Sequence, residues 1–164
     1  MKEILTSKNE SIFVDSKFYK TLIKSSWCIT KQGYAVGRVQ DKIWRMHRYI
    51  MHLSGKNIFK KEIDHKNRNK LDNRLRNLRF CTDSQNRWNS DKTKNNKSGY
   101  KGVYWDNYGN RWRAKISVNR KRIYLGSFKN KRDALTAYNK ASFKYHKEFR
   151  FNNVTSKSSK EKTD

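Results

Sequence analysis

The sequence predicts an α+β protein built from two small parts in tandem. Three observations carry that prediction. A strand–loop–strand–helix pattern occupies residues 62–88, strict two-residue alternation marks residues 112–118, and an apolar stripe at helical spacing runs from 134 to 145. A polar, turn-rich stretch at 89–98 separates the two parts.

The first part is residues 1–88. A helix around MHRYIM places Met46, Ile50 and Leu53 on its buried side and stops at Gly55. His47 lies on it and is read as structural or as touching the chain's binding partner, outside any ligand set, while His52 and His146 read as surface residues. Glu62–His65 reads as a short strand, HKNRNKLDN as an Asn-rich loop, and LRFCT as a second strand. Thr82 and Gln85 then have the spacing of a capping box, so a helix starts near Asp83 with Asn86 in its first turn. Chain reversal would bring Asp64, His65 and Asn86 into one pocket. Cys28 and Cys81 fit neither a disulfide framework nor a zinc spacing and read as small buried hydrophobes.

The second part is residues 99–153. In WRAKISV, Trp112, Ala114, Ile116 and Val118 alternate with Arg113, Lys115 and Ser117, the pattern of a strand with one buried face. RIYLG continues it, with Ile123 and Leu125 opposite Arg122 and Tyr124, and Asn119-Arg120 makes the turn between them. YKGVYW (100–105) supplies a third strand. Ala134, Ala137, Tyr138, Ala141 and Tyr145 then form the stripe of a helix with Asn130 as its N-cap. A three-stranded antiparallel sheet packed on one helix follows, with Lys101, Arg113, Lys115, Arg122 and Tyr124 on its outer face. Residues 154–164 read as a flexible tail.

Charge points to the partner. The 164 residues carry 40 Lys+Arg against 14 Asp+Glu, a formal net charge of +26, far beyond what solubility requires. Residues 1–90 hold 20 basic and 8 acidic side chains and residues 91–164 hold 20 and 6, so both parts face the same polyanion. Double-stranded DNA is the expected partner, because phosphate neutralisation releases counterions along an extended track. An aromatic content of 13% argues for a folded chain. No membrane span, basic membrane helix or signal-peptide core is visible, and a cytoplasmic location is expected, that of a bacterial host if the chain is phage-encoded.

Binding alone does not explain an acid beside a histidine in IDHKNRNKLDNRLRNL. Phosphodiester hydrolysis needs a nucleophile, charge neutralisation at the phosphoryl oxygens and help for the leaving oxygen. A histidine can deprotonate water near neutral pH. A carboxylate with an amide oxygen suits a hard cation that keeps several waters. Asp64 and Asn86 offer those two oxygens.

The stretch from VDSKFYKTLIKSSW and GYAVGR through MHRYIM to IDHKNRNKLDNRLRNLR and TDSQN resembles the phage and intron-encoded HNH endonucleases, with their ββα-metal site. The resemblance implies His65 as general base, Asp64 and Asn86 as ligands of one Mg²⁺ or Mn²⁺, and Asn77 as the asparagine that braces the loop, a role Asn73 could share. Arg74, Arg76, Arg79 and Arg87 would clamp phosphates. The run YKGVYW, RWRAKI, KRIYLGSFKNKRDALTAYNKASFKYH and FN resembles the plant Apetala-type, or ethylene-response-factor, DNA-binding domain, though Tyr104 and Ser117 stand where that family has arginines. That likeness implies DNA contacts by Lys101, Tyr104, Arg122 and Tyr124. Together they imply a homing or free-standing phage endonuclease with no small-molecule cofactor, nicking or cutting both strands as a monomer or a homodimer. The competing reading is a transcriptional regulator whose HNH part is a non-catalytic scaffold.

Overall fold

The computed structural model describes residues 1–93, 95–151 and 153, and the chain divides into two units, Met1–Asn89 and Ser90–Asp164. The expected tail, 154–164, lies outside the described residues.

The first unit opens with elements for which the sequence reading assigned no structure. Strands β1 (Lys2–Leu5) and β2 (Ser11–Val14) form an antiparallel hairpin, and helix α1 (Ser16–Leu22) follows. A second antiparallel sheet has the order β3 (Trp27–Ile29), β4 (Ala35–Val39), β5 (Lys42–Arg45). Helix α2 (Met46–Leu53) starts directly after β5. Ile12, Val14, Leu22, Met46 and Ile50 are completely buried where these elements meet. Burying a side chain of that size contributes roughly 1.5–3 kcal/mol, so this cluster is the main support of the unit.

The predicted strand–loop–strand–helix is present. Strands β6 (Glu62–His65) and β7 (Leu78–Cys81) pair antiparallel, with Asp64 opposite Arg79 and His65 opposite Leu78. Helix α3 (Asp83–Asn89) packs on β6 and β7. Its capping box is formed in both directions: Gln85 N–H donates to Thr82 Oγ1 at 3.2 Å, and Thr82 N–H to Gln85 Oε1 at 2.8 Å. The helix runs through Asn89, so the linker expected from residue 89 begins one residue later.

The second unit is a three-stranded antiparallel sheet in the order β10-β9-β8, with β8 at Val103–Asp106, β9 at Arg111–Val118 and β10 at Lys121–Phe128, packed on helix α4 (Lys131–His146). Asn119 and Arg120 both take left-handed conformations, φ +48° and +67°, as a two-residue hairpin demands. The first strand starts at Val103, later than predicted, because Gly102 turns the chain at φ +76°. A Cβ there would stand 2.0 Å from the Tyr138 ring, so the helix can approach this turn only over a glycine. Val103, Ala114, Ile116, Ala134, Leu135 and Tyr138 make the core.

Three surface or core assignments differ. His146 is buried and hydrogen-bonds the Ser117 carbonyl at 2.9 Å, because it ends α4 on the side that faces β9. Cys28 is exposed on edge strand β3 and Cys81 only partly buried, since both strands turn these positions away from the apolar cluster.

Candidate active site

Asp64 and His65 are neighbours on β6, and both are buried, at 6% and 4% exposure. Successive strand residues face opposite sides, so they meet different partners.

On the Asp64 side, Arg79 Nε and Nη2 donate to Asp64 Oδ2 at 2.9 and 2.7 Å. The second partner is Asn89, whose Nδ2 donates to Asp64 Oδ1 and Oδ2 at 3.0 Å each and to the His65 carbonyl at 2.9 Å, with the Lys66 carbonyl at 3.4 Å. Asn86 was expected in this place. It lies one helical turn earlier and is half-buried, whereas Asn89, the last residue of α3, is 4% exposed and reaches the carboxylate. An amide has two N–H bonds, yet four oxygens converge on this nitrogen. Such a concentration of oxygens suits a hard cation, and turning the amide would add its own oxygen to Asp64 as a ligand. Among the described residues no group of three or more His, Cys, Asp or Glu side chains is placed to hold a metal.

On the other side, His65 Nε2 lies 3.3 Å from Asn73 Oδ1. The Asn73 Nδ2 is directed to the Lys70 carbonyl at 3.4 Å, which leaves its oxygen for the imidazole. An acceptor at Nε2 requires the proton there, so Nδ1 carries the free lone pair. Burial pushes the His65 pKa below its ordinary 6.5, against the opposing pull of Asn73, Asp64 and Asp72. The ring is neutral at physiological pH.

His47 packs edge-on against His65 with centroids 5.0 Å apart, and Tyr34 stands 5.3 Å from His47 and 6.2 Å from His65. Helix α2 turns His47 inward with Met46 and Ile50, and burial with the nearby His65, Arg45 and Arg48 lowers its pKa to about 3. It forms a neutral wall beside His65, nearer that ring than its sequence context suggested. Arg45 lies 5.0 Å and the Lys70 ammonium 4.5 Å from the Tyr34 ring centre. Tyr34 had no assigned role in the sequence; only its place in GYAVGR marked the region.

The Asn-rich loop is a braced structure. Asn77 accepts from the Asn67 N–H at 3.0 Å and donates to the Asp72 carbonyl at 2.7 Å, while Arg74 closes a two-pronged ion pair on Asp72 at 2.6 Å. Asn77 thus holds the loop and Asn73 holds the ring. Arg74 and Arg79, expected to clamp phosphates, pair with Asp72 and Asp64, because a buried carboxylate needs a paired cation. Arg76 and Arg87 are exposed.

In the second unit, Tyr104, Arg113, Lys115 and Tyr124 occupy neighbouring register positions, with the Lys115 ammonium 4.4 Å from the Tyr104 ring centre. Arg122 sits farther along β10, opposite Ser117. Arg113 is ion-paired to Asp106 at 2.7 Å. Lys101 lies in the turn before β8 and bonds the Ser90 carbonyl.

The family model of the HNH endonucleases matches residues 39–88, from the end of β4 through most of α3. Residues 39–88 are thus similar to an HNH endonuclease domain. A protein of Acanthamoeba polyphaga mimivirus named as an uncharacterized HNH endonuclease is 34% identical over 103 residues, 62% of this chain and 54% of its own length. "Protein 3.8" of Escherichia phage T7 is 37% identical over 59 residues, 36% of this chain and 49% of its own. The chain therefore spans about half the length of these curated relatives. No solved structure matches it. No described helix is long and apolar enough to cross a membrane.

Proposed function

We propose that the protein is a metal-dependent DNA endonuclease that hydrolyses phosphodiester bonds at the end of β6. The observation that carries this reading is the adjacent buried pair Asp64–His65, each side chain held by a different asparagine. A scaffold that only bound DNA would gain nothing from burying these polar groups, which costs stability unless each is paired.

In this reading His65 Nδ1 takes a proton from water while Asn73 retains the proton on Nε2. The water oxygen bonds to phosphorus, the bond to the 3′ oxygen breaks, and that oxygen is protonated from solvent, leaving 5′-phosphate and 3′-hydroxyl ends. Asp64 and Asn89 would hold the Mg²⁺ or Mn²⁺, with Asn89 in place of Asn86, and the bound ion would neutralise charge on the phosphoryl oxygens. Arg79 stands in for that cation at Asp64 and would share the carboxylate with it. His47 and Tyr34 keep the imidazole in place and exclude water from one side of it.

The second unit is proposed as an Apetala-type DNA-binding module, with Tyr104, Lys115, Arg122 and Tyr124 toward the duplex. A phage homing or free-standing endonuclease fits the viral origin of both relatives. His65→Ala should abolish Mg²⁺- or Mn²⁺-dependent nicking and cutting of plasmid DNA while gel-shift binding persists. Undiminished cutting by that variant would remove His65 from the mechanism.

A further inference from the structure

Beside the HNH site, the loop 54–61 and the β5–α2 corner enclose an open groove of about 1030 Å³ that no step above uses. Its charged lining is one-sided: Lys42, Arg45, Arg48, Lys56, Lys60 and Lys61 stand against Glu62 alone. The chain's general basicity does not account for this, because another cleft of the same unit has Arg38 and Glu3 as its charged lining.

The groove is also built. Arg48 donates to the Lys61 carbonyl at 2.8 Å and to the Ile58 carbonyl at 2.9 Å, tying the lysine-bearing loop to α2. Asn57 Oδ1 accepts from the Phe59 N–H at 3.0 Å and shapes the turn that leaves Phe59 72% exposed. Ile43, on β5, is 73% exposed. Arg45 of this lining lies 5.0 Å from the Tyr34 ring centre, and the Tyr34 and His65 ring centres are 6.2 Å apart. Cations along a track, with apolar groups held out among them, match the chemistry of a DNA strand: phosphates for the lysines, sugars and bases for Phe59 and Ile43.

We propose that this groove is a second DNA-binding surface, which holds the duplex backbone flanking the cleavage point and presses Phe59 and Ile43 against its sugars and bases. It rests on the nuclease reading for the word cleavage, but not for the binding itself. The test is fluorescence anisotropy of the full chain on a labelled mixed-sequence DNA duplex, without divalent metal, over a salt series. Replacing Lys56, Lys60 and Lys61 by Gln, with Arg48 intact, should lower the slope of log Kd against log salt by about 2–3 and weaken binding tenfold or more near physiological salt. The same change at Lys8, Lys20 and Lys24 should alter the slope by less than about 1. Phe59→Ala should weaken binding severalfold with the slope unchanged.

An unchanged slope in the groove variant, or an equal loss in the control variant, overturns the proposal, and an inert Phe59→Ala overturns its apolar half. Failure of the wild-type chain to cut DNA with Mg²⁺ or Mn²⁺ would instead overturn the nuclease reading, and the anisotropy would still decide the groove.

Discussion

His65 shows how a residue's surroundings set its chemistry. Its pKa is depressed by burial, so the ring is a competent base at lower pH than a free histidine. The acid limb of kcat/KM should therefore have its midpoint below 6.5; a limb above that value would mean that another group limits the reaction. His47 adds a stability effect with a definite sign. Its folded pKa of about 3 lies below the unfolded 6.5, so on acidification the unfolded chain takes up the proton first. Stability is full above 6.5 and falls as pH drops toward about 3, by up to roughly 1.4 kcal/mol per unit. Chemical denaturation of wild type and His47→Gln should diverge only in that window. Asn89 and Asn86 make a second pair to compare. Asn89→Ala should cost about 2 kcal/mol by removing the buried donor to Asp64, and the metal dependence by removing the amide oxygen that would turn to the ion, while Asn86→Ala should stay within about 0.5 kcal/mol. Equal effects on metal titration would return Asn86 to the site.

At the scale of elements, the hairpin β1–β2 supports a site that lies wholly outside it in sequence. Phe13 N–H donates to the Leu71 carbonyl and its carbonyl accepts from Asn73 N–H, both at 2.8 Å, so β2 fixes the backbone of the asparagine that orients His65. Asp15 Oδ2 accepts from Leu75 N–H at 2.7 Å and pins the loop at its far end. Both contacts come from residues preceding the HNH match at 39–88. Asp15→Ala should cost about 1.5 kcal/mol and lower kcat more than affinity for DNA, because it loosens the base and not the binding surface. Thermal melting with single-turnover kinetics checks this. A purely structural role would lower melting temperature with kcat intact.

At the scale of the molecule, a net charge of +26 over two units would, under the proposed function, make affinity for DNA a sum of phosphate contacts from both. Deleting residues 97–164 should weaken DNA binding yet leave metal-dependent cleavage, since every side chain of the proposed site lies in Met1–Asn89. A truncated chain that binds as tightly as the full one would leave the second unit without its proposed purpose.

Much of this was legible in the residues alone. Strand alternation, helical stripes, the Thr82–Gln85 capping box and the hairpin turn at Asn119-Arg120 are local, set by side-chain period and backbone sterics within a few residues, and each formed where its pattern lies. Asp64 and His65 stood out because an acid and a base beside each other have little local structural reason to exist. Which asparagine meets which partner could not be read there. Asn73, Asn77, Asn86 and Asn89 are chemically identical, and only the packing of α3 on β6, and of β2 on the loop, gave Asn89 to Asp64, Asn73 to His65 and Asn77 to the loop. The same holds for Arg79, whose charge suggested DNA until burial made Asp64 its partner, and for His47, which reaches His65 because α2 buries that face. Local pattern determined the elements and the chemical types in the site; long-range packing decided their partners, because desolvation and contact exist only once the chain has closed on itself.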